Sequence, residues 1–249
     1  MEDIFSFADE LGPLKVIHVH EPSIGLRGVL VVDNVAKGPS IGGVRMAPDV
    51  TTAECARLAR AMTYKNAAAG LPHGGGKAIL IADPKMPAAQ KEILIRGFAC
   101  ALQEVEQYIF APDMGTNEEC MAWVKDEINR VVGLPREVGG IPLDEIGATG
   151  WGLSHVVDET LKFCDFTISG ARIAVQGFGA VGKHVSRFLS QQGAVIVAVS
   201  DSRGTIYNAD GLDVETLSAI KALGKSVIEY EDGEKRDRKS VVAGRGGGG

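Results

Sequence analysis

A chain of 249 residues can bury one large core or two ordinary ones, and 45% apolar with 23% charged residues are the proportions of a water-soluble globular fold. A formal charge of −6, with no block of Lys and Arg ahead of the last residues, argues against nucleic acid as a partner. No apolar run reaches a membrane span, Met1-Glu2-Asp3 is acidic rather than signal-like, and four scattered cysteines (Cys55, Cys100, Cys120, Cys164) read as free thiols of a cytoplasmic protein.

Two alternating apolar stretches, 14–20 and 28–35, flank the turn-rich 21–26 and predict paired strands. Thr51 with Glu54 three residues on has the form of a capping box, opening a helix that runs through Met62 and Lys65 and ends at Gly70 and Pro72. The run Gly74-Gly75-Gly76 leads into a strand over 78–82, stopped by Asp83-Pro84. Helices are expected at about 88–106 and 118–132, with a short strand near 108–110 between them. Residues 133–146, rich in Gly and Pro, read as a loop, and a helix over about 149–163 bridges into a second domain. From Ala171 the order becomes strand (172–176), glycine turn, helix (181–192) and strand (194–200). That is the opening of a doubly wound domain, of which two of about six strands are identified. The fold class is therefore α/β, with an N-terminal α/β domain at 1–147 followed by the start of a Rossmann-type domain at 148–235. Residues 236–249, closing on four glycines, have no core-facing period, and 237–242 also match an in-frame translation of a common sequencing adapter. A non-native tail after a cut near Lys235 is the expectation, with a flexible basic tail as the alternative.

The glycine turn reads Gly177-Phe178-Gly179-Ala180-Val181-Gly182, after a strand and at the start of a helix. There, glycines permit a tight turn and let the backbone approach a pyrophosphate lodged at the helix N-terminus. Asp201, with Ser202 beside it, stands about 20 residues on, where a ribose-binding acid is expected. Arg203 is close enough to favour a 2′-phosphate, so NAD and NADP both stay open. Lys65 lies near the C-terminal end of its helix, where the dipole favours a cation, although a solvated lysine is the commoner case. Lys77, between three glycines and an apolar strand, is expected to be partly desolvated and tuned toward acid–base work. Asp113 in Ala111-Pro112-Asp113-Met114-Gly115-Thr116 follows a strand, a place for a catalytic carboxylate and equally for a turn. His73 reads as a loop histidine.

The order of segments says more than any one residue. Gly38-Pro39-Ser40-Ile41-Gly42-Gly43-Val44-Arg45-Met46, then 62–67, then Gly74–Lys77, then 113–116, then Ala148-Thr149-Gly150, then 177–182 resembles the glutamate/leucine/phenylalanine/valine dehydrogenase family over about residues 16–217. The resemblance implies reversible NAD- or NADP-dependent oxidative deamination of an L-amino acid to a 2-oxo acid and ammonium. It implies that Lys65 holds the substrate α-carboxylate, that Lys77 activates the water attacking an iminium, and that Asp113 carries protons to and from the substrate nitrogen. Gly42 and Gly43 would line the pocket and Thr149 would meet the nicotinamide side, while Gly177, Phe178, Gly179, Ala180, Val181, Gly182, Asp201 and Ser202 would hold the cofactor, with no metal. Residues 1–147 would then bind substrate and assemble a homo-oligomer. At the position of Ile41, glutamate-specific relatives typically carry a lysine for the side-chain carboxylate. An unpaired buried carboxylate costs several kcal/mol, so an apolar substrate resembling leucine, valine or phenylalanine is expected. Segments 111–123 and 200–204 resemble glutamate dehydrogenases, which makes glutamate the alternative. A non-catalytic cofactor-binding or assembly module is the other, because the nucleotide domain reads as truncated and the chain as it stands is expected to have little or no activity. A pyridoxal-phosphate enzyme using Lys77 would need a phosphate cup that the sequence does not offer.

Overall fold

The computed structural model describes residue 6 and residues 8–237, which fall into two units divided between Pro142 and Leu143. In the first, the alternating segments pair antiparallel as β1 (Lys15–Glu21) and β2 (Leu26–Val32). There follow β3 (Ser40–Ala47), α1 (Thr52–Ala68), β4 (Gly74–Ile81), α2 (Ala88–Ala101), β5 (Tyr108–Pro112) and α3 (Glu118–Ile128). The sheet order is β1-β2-β4-β3-β5, antiparallel across β1-β2-β4 and parallel across β4-β3-β5. Because side chains alternate along a strand, the sheet has two buried faces. Leu30, Val32, Val44, Met46, Ala78 and Leu80 pack with Leu94 and Phe98 of α2 and Met121 and Val124 of α3. Val29, Val31 and Ile79 pack with Cys55, Ala56 and Ala59 of α1. Each large aliphatic side chain so buried contributes about 1.5–3 kcal/mol.

Several expectations change here. Residues 40–47, given no element from the sequence, are a central strand, and the glycine run is the first part of β4 rather than a lead-in to it. The glycines extend because neighbours crowd them: a Cβ on Gly75 would lie 2.0 Å from Thr63 N of α1, and one on Gly42 would lie 1.7 Å from Gly76 O. Helices α2 and α3 end at Ala101 and Ile128, earlier than their apolar patterns. Thr51 caps α1 through Glu54 N, but the Glu54 carboxylate accepts from Arg45, so its side chain serves the sheet.

The second unit holds α4 (Leu143–Ile146), α5 (Ala148–Leu161), β6 (Arg172–Gln176), α6 (Ala180–Gln191), β7 (Val195–Ser200), β8 (Thr205–Tyr207), α7 (Val214–Ala222) and β9 (Glu234–Arg236). Residues 143–147, expected to close the first domain, belong with this one because Gly147 and Gly150 pack directly on His184 of α6. The βαβ opening forms as expected, with β6 and β7 parallel. Strands β8 and β9 extend the sheet antiparallel in the order β6-β7-β8-β9, around Phe178, Ile196, Val199, Ile206, Leu217 and Val227. Both are three residues long, too short to carry a readable alternation. Arg236, the first residue of the expected non-native tail, pairs with Thr205 in β9 and stacks 4.0 Å over the Tyr207 ring. Residues 238–249 lie outside the described residues. Among the described residues no helix is long and apolar enough to cross a membrane, and the four cysteines are free.

Candidate active site and dinucleotide-binding turn

On the α1 face of the first sheet, β3 presents Ile41, Gly43 and Arg45, and β4 presents Gly75 and Lys77, since residues two apart share a face. Asp113 follows β5 and crosses over β3. A Cβ on Gly43 would stand 2.6 Å from the Asp113 Cβ, so the bare backbone of Gly43 makes room for that carboxylate. The turn carrying Asp113 is fixed by Thr116, whose hydroxyl accepts from Asp113 N at 3.0 Å and donates to Val44 O at 2.8 Å. Lys77 Nζ meets Asp113 Oδ2 at 2.8 Å, with the lysine side chain 7% exposed and the aspartate 23%. Arg45 Nε donates to the same oxygen at 3.0 Å, and Arg45 Nη1 donates to Glu54 Oε1 at 2.6 Å. Burial pushes the Asp113 carboxyl up, but the Lys77 and Arg45 cations outweigh it and hold it below the ordinary carboxylate value.

The sequence reading thus placed Lys77, Asp113 and Gly43 together, and the fold does so. Gly42 lies in β3 and its carbonyl accepts the Tyr108 hydroxyl at 2.6 Å. Ile41 is half-buried, in register with Gly75 on one side and Ile109 on the other. Lys65 is different: it is exposed on α1, and its side chain makes no hydrogen bond or ion pair with any described residue. Its neighbour Asn66 is buried and ties the helix to Gly74 O at 2.7 Å. Sequence reasoning missed Arg45 and Glu54 as parts of this cluster. The signal was the two-residue spacing of Arg45 from Gly43, which means something only once residues 40–47 are known to be a strand.

In the second unit, Gly177 adopts φ 93°, and its N–H and that of Phe178 both donate to Ser200 O, at 3.1 and 2.7 Å. The Phe178 ring is buried in the unit's core, so its side chain does not face a ligand as the motif reading allowed. A Cβ on Gly182 would lie 1.9 Å from Gly177 O, which makes this glycine the contact between α6 and β6. A Cβ on Gly179 would meet nothing within 4 Å, and α6 starts there without a side-chain cap. Uncapped amides of Ala180 and Val181 beside open space fit an anionic pyrophosphate, and these residues suit a dinucleotide. Thr149, in the first turn of α5, is exposed.

Asp201 is not the free ribose acceptor expected from its position. Its Oδ1 accepts from Arg203 N and Ser226 Oγ, each at 2.9 Å, and its Oδ2 accepts from Val227 N and Lys221 Nζ, each at 3.0 Å. With the side chain 9% exposed, these four donors use both oxygens. Ser202 and Arg203 beside it are exposed. Among the described residues no His, Cys, Asp and Glu cluster is arranged to hold a metal.

Residues 13–130 match a family model described as Glu/Leu/Phe/Val dehydrogenase, dimerisation domain, and residues 139–245 match one described as Glutamate/Leucine/Phenylalanine/Valine dehydrogenase. The chain is 39% identical to a glutamate dehydrogenase of Aeropyrum pernix over 222 residues, 84% of this chain and 53% of that protein. It is 40% identical to a glutamate dehydrogenase of Thermotoga maritima over 229 residues, 86% of this chain and 55% of that protein. Among solved structures, the hetero-hexameric glutamate dehydrogenase from Thermus thermophilus in a Leu-bound form is similar with a TM-score of 0.77 and 32% identity, covering 89% of this chain and 58% of that one. The chain spans about half the length of the curated relatives it matches. These relatives carry the name glutamate dehydrogenase, so the apolar-substrate expectation drawn from Ile41 finds no support in them and the glutamate alternative fits better.

Proposed function

Since the chain belongs to the Glu/Leu/Phe/Val dehydrogenase family, we propose that the complete protein oxidatively deaminates L-glutamate, with NAD or NADP as hydride acceptor, and runs the reverse amination. The observation that carries this reading is the Lys77–Asp113 pair, 2.8 Å apart and set against bare glycine backbone. In the oxidative direction Asp113, already ionised, takes a proton from the substrate ammonium. A bound nicotinamide supplies the acceptor for the hydride from Cα. Lys77, once its own proton has gone to solvent, steers water onto the resulting iminium and takes one of its protons. Asp113 then gives its proton to the carbinolamine nitrogen, and ammonia leaves as the hydroxyl proton passes back to Asp113 and the carbonyl forms. Lys65, a cation with no described partner, is assigned to the α-carboxylate, and Gly42 and Gly43 to the pocket wall. Thr149, Gly177, Gly179, Ala180, Val181, Gly182 and Ser202 are assigned to the dinucleotide, with Phe178 anchoring the turn in the core and Asp201 bracing the segment that follows β7. The outer edge of β1 is unpaired among the described residues and lies in the segment matched as a dimerisation domain, which supports self-association. Four free thiols suit the cytoplasm.

Ile41 is the one side chain of the site at odds with glutamate, since it offers no cation. The deciding assay uses the full-length protein, following NADH and NADPH oxidation with ammonium and either 2-oxoglutarate or 2-oxoisocaproate. We expect 2-oxoglutarate to be preferred and Lys77→Ala to lose about 10²–10⁴-fold in kcat. Preference for the branched acid would replace the substrate, and an active Lys77→Ala would remove the mechanism.

A further inference from the structure

Arg45 touches Asp113 and Glu54 through different nitrogens of one planar group, Nε at 3.0 Å and Nη1 at 2.6 Å. A guanidinium is rigid, so holding one nitrogen fixes the direction in which the other donates. Glu54 sits in the first turn of α1, anchored by the Thr51 cap, while Arg45 stands on β3 and Asp113 follows β5. One guanidinium therefore ties together residues from three separate parts of the fold. We propose that Glu54 and Arg45 are a positioning pair for Asp113, locking Oδ2 between Arg45 and Lys77 and thereby turning Oδ1 toward the substrate nitrogen. The inference rests on the reading of Asp113 as the proton carrier.

A carboxylate held by one ion pair can rotate about Cβ–Cγ and exchange its oxygens. Here Lys77 comes from β4 and Arg45 from β3, and both reach Oδ2, so Oδ1 is the oxygen that neither cation occupies. Rotation would break two charge-assisted bonds at once. Oriented outer partners of this kind hold reacting groups in line, and small misplacements cost rate rather than binding. Arg45 also favours the ionised carboxylate, the form that can take the ammonium proton.

The test compares wild type, Arg45→Gln, Arg45→Lys, Glu54→Gln and Asp113→Asn in the full-length enzyme, reading kcat, KM and the pH profile of oxidative deamination. Carboxyl-carbon NMR titration of Asp113 in the 249-residue chain, assigned with Asp113→Asn, gives a readout without turnover. Arg45→Gln should lower kcat about tenfold or more with KM nearly unchanged, move the acid limb to higher pH and raise the Asp113 midpoint. Arg45→Lys should restore the acid limb but not kcat, because it keeps the charge and loses the fork. Glu54→Gln should lower kcat by a smaller factor, and it stands in if Arg45→Gln does not fold. A folded Arg45→Gln, or failing that Glu54→Gln, with wild-type kcat and acid limb would overturn the inference. Loss in those variants beside an Asp113→Asn that still turns over would instead remove the proton-carrier reading.

Discussion

Replacing Asp201 with asparagine keeps the shape of the side chain and removes its charge. In the native second unit that carboxylate is buried, which raises its pKa, yet the N–H groups of Arg203 and Val227, then Lys221 and Ser226, hold it down from 3.8 to about 2. At about 1.36 kcal/mol per pKa unit, this difference stabilises the folded unit by about 2 kcal/mol. The folded value lies below the unfolded one, so the contribution is complete above about pH 5 and disappears as the pH falls toward 2. Asparagine also leaves Lys221 without its anion, and its single carbonyl cannot serve all four donors, bringing the expected loss at neutral pH to about 2–3 kcal/mol. The assay is amide hydrogen exchange in β7, which reads the opening free energy of this unit by itself. Protection at pH 7 should fall roughly 30- to 150-fold in the variant, and the two proteins should converge near pH 2. Equal protection at pH 7, together with a tenfold loss of dinucleotide affinity, would refute this reasoning and return Asp201 to the ribose role that its sequence position suggested.

Gly182→Ala places a methyl 1.9 Å from Gly177 O, a backbone atom that cannot give way cheaply, and should cost about 1–3 kcal/mol of second-unit stability by thermal melting. Gly179→Ala, which meets nothing within 4 Å, should melt normally yet weaken NAD(H) or NADP(H) binding by calorimetry, and unchanged affinity would remove the pyrophosphate assignment. His184 is 5% exposed; burial, then the Lys183 and Arg187 charges, outweigh the opposing effect of Asp144 and hold its pKa below the ordinary imidazole value. Its folded value being the lower one, stability is full above about pH 6.5 and falls as the pH drops through that value. Urea midpoints between pH 7 and 5 should show that loss in wild type and lack it in His184→Leu. Ile41→Lys should lower KM for 2-oxoglutarate about 10- to 150-fold, the worth of one hydrogen bond to a charged group, with no gain for 2-oxoisocaproate. No change in either would place Ile41 away from the substrate side chain.

Local pattern was enough for part of this protein. Alternation gave β1 and β2, Thr51 marked the start of α1, and the strand–glycine–helix–strand order around 177–182 gave β6, α6 and β7. The succession of short motifs pointed to the family and singled out Lys77 and Asp113, although these are 36 residues apart in the chain. Such features are legible because helix period, strand alternation and caps act over a few residues.

Tertiary structure decided the rest. Gly42, Gly75 and Gly76 look like loop residues in a string of letters, yet they are strand residues because Thr63, Tyr108 and neighbouring backbone stand where a side chain would go. Asp201 occupies a ribose-binding position in sequence and is bonded to residues 203, 221, 226 and 227 instead. Glu54, placed by its spacing as a helix cap, turns its carboxylate to Arg45, which in turn reaches Asp113. A residue's type and spacing determine which partners it could take, whereas the partner it does take depends on which charges and how little space the distant parts of the fold bring within about 3 Å.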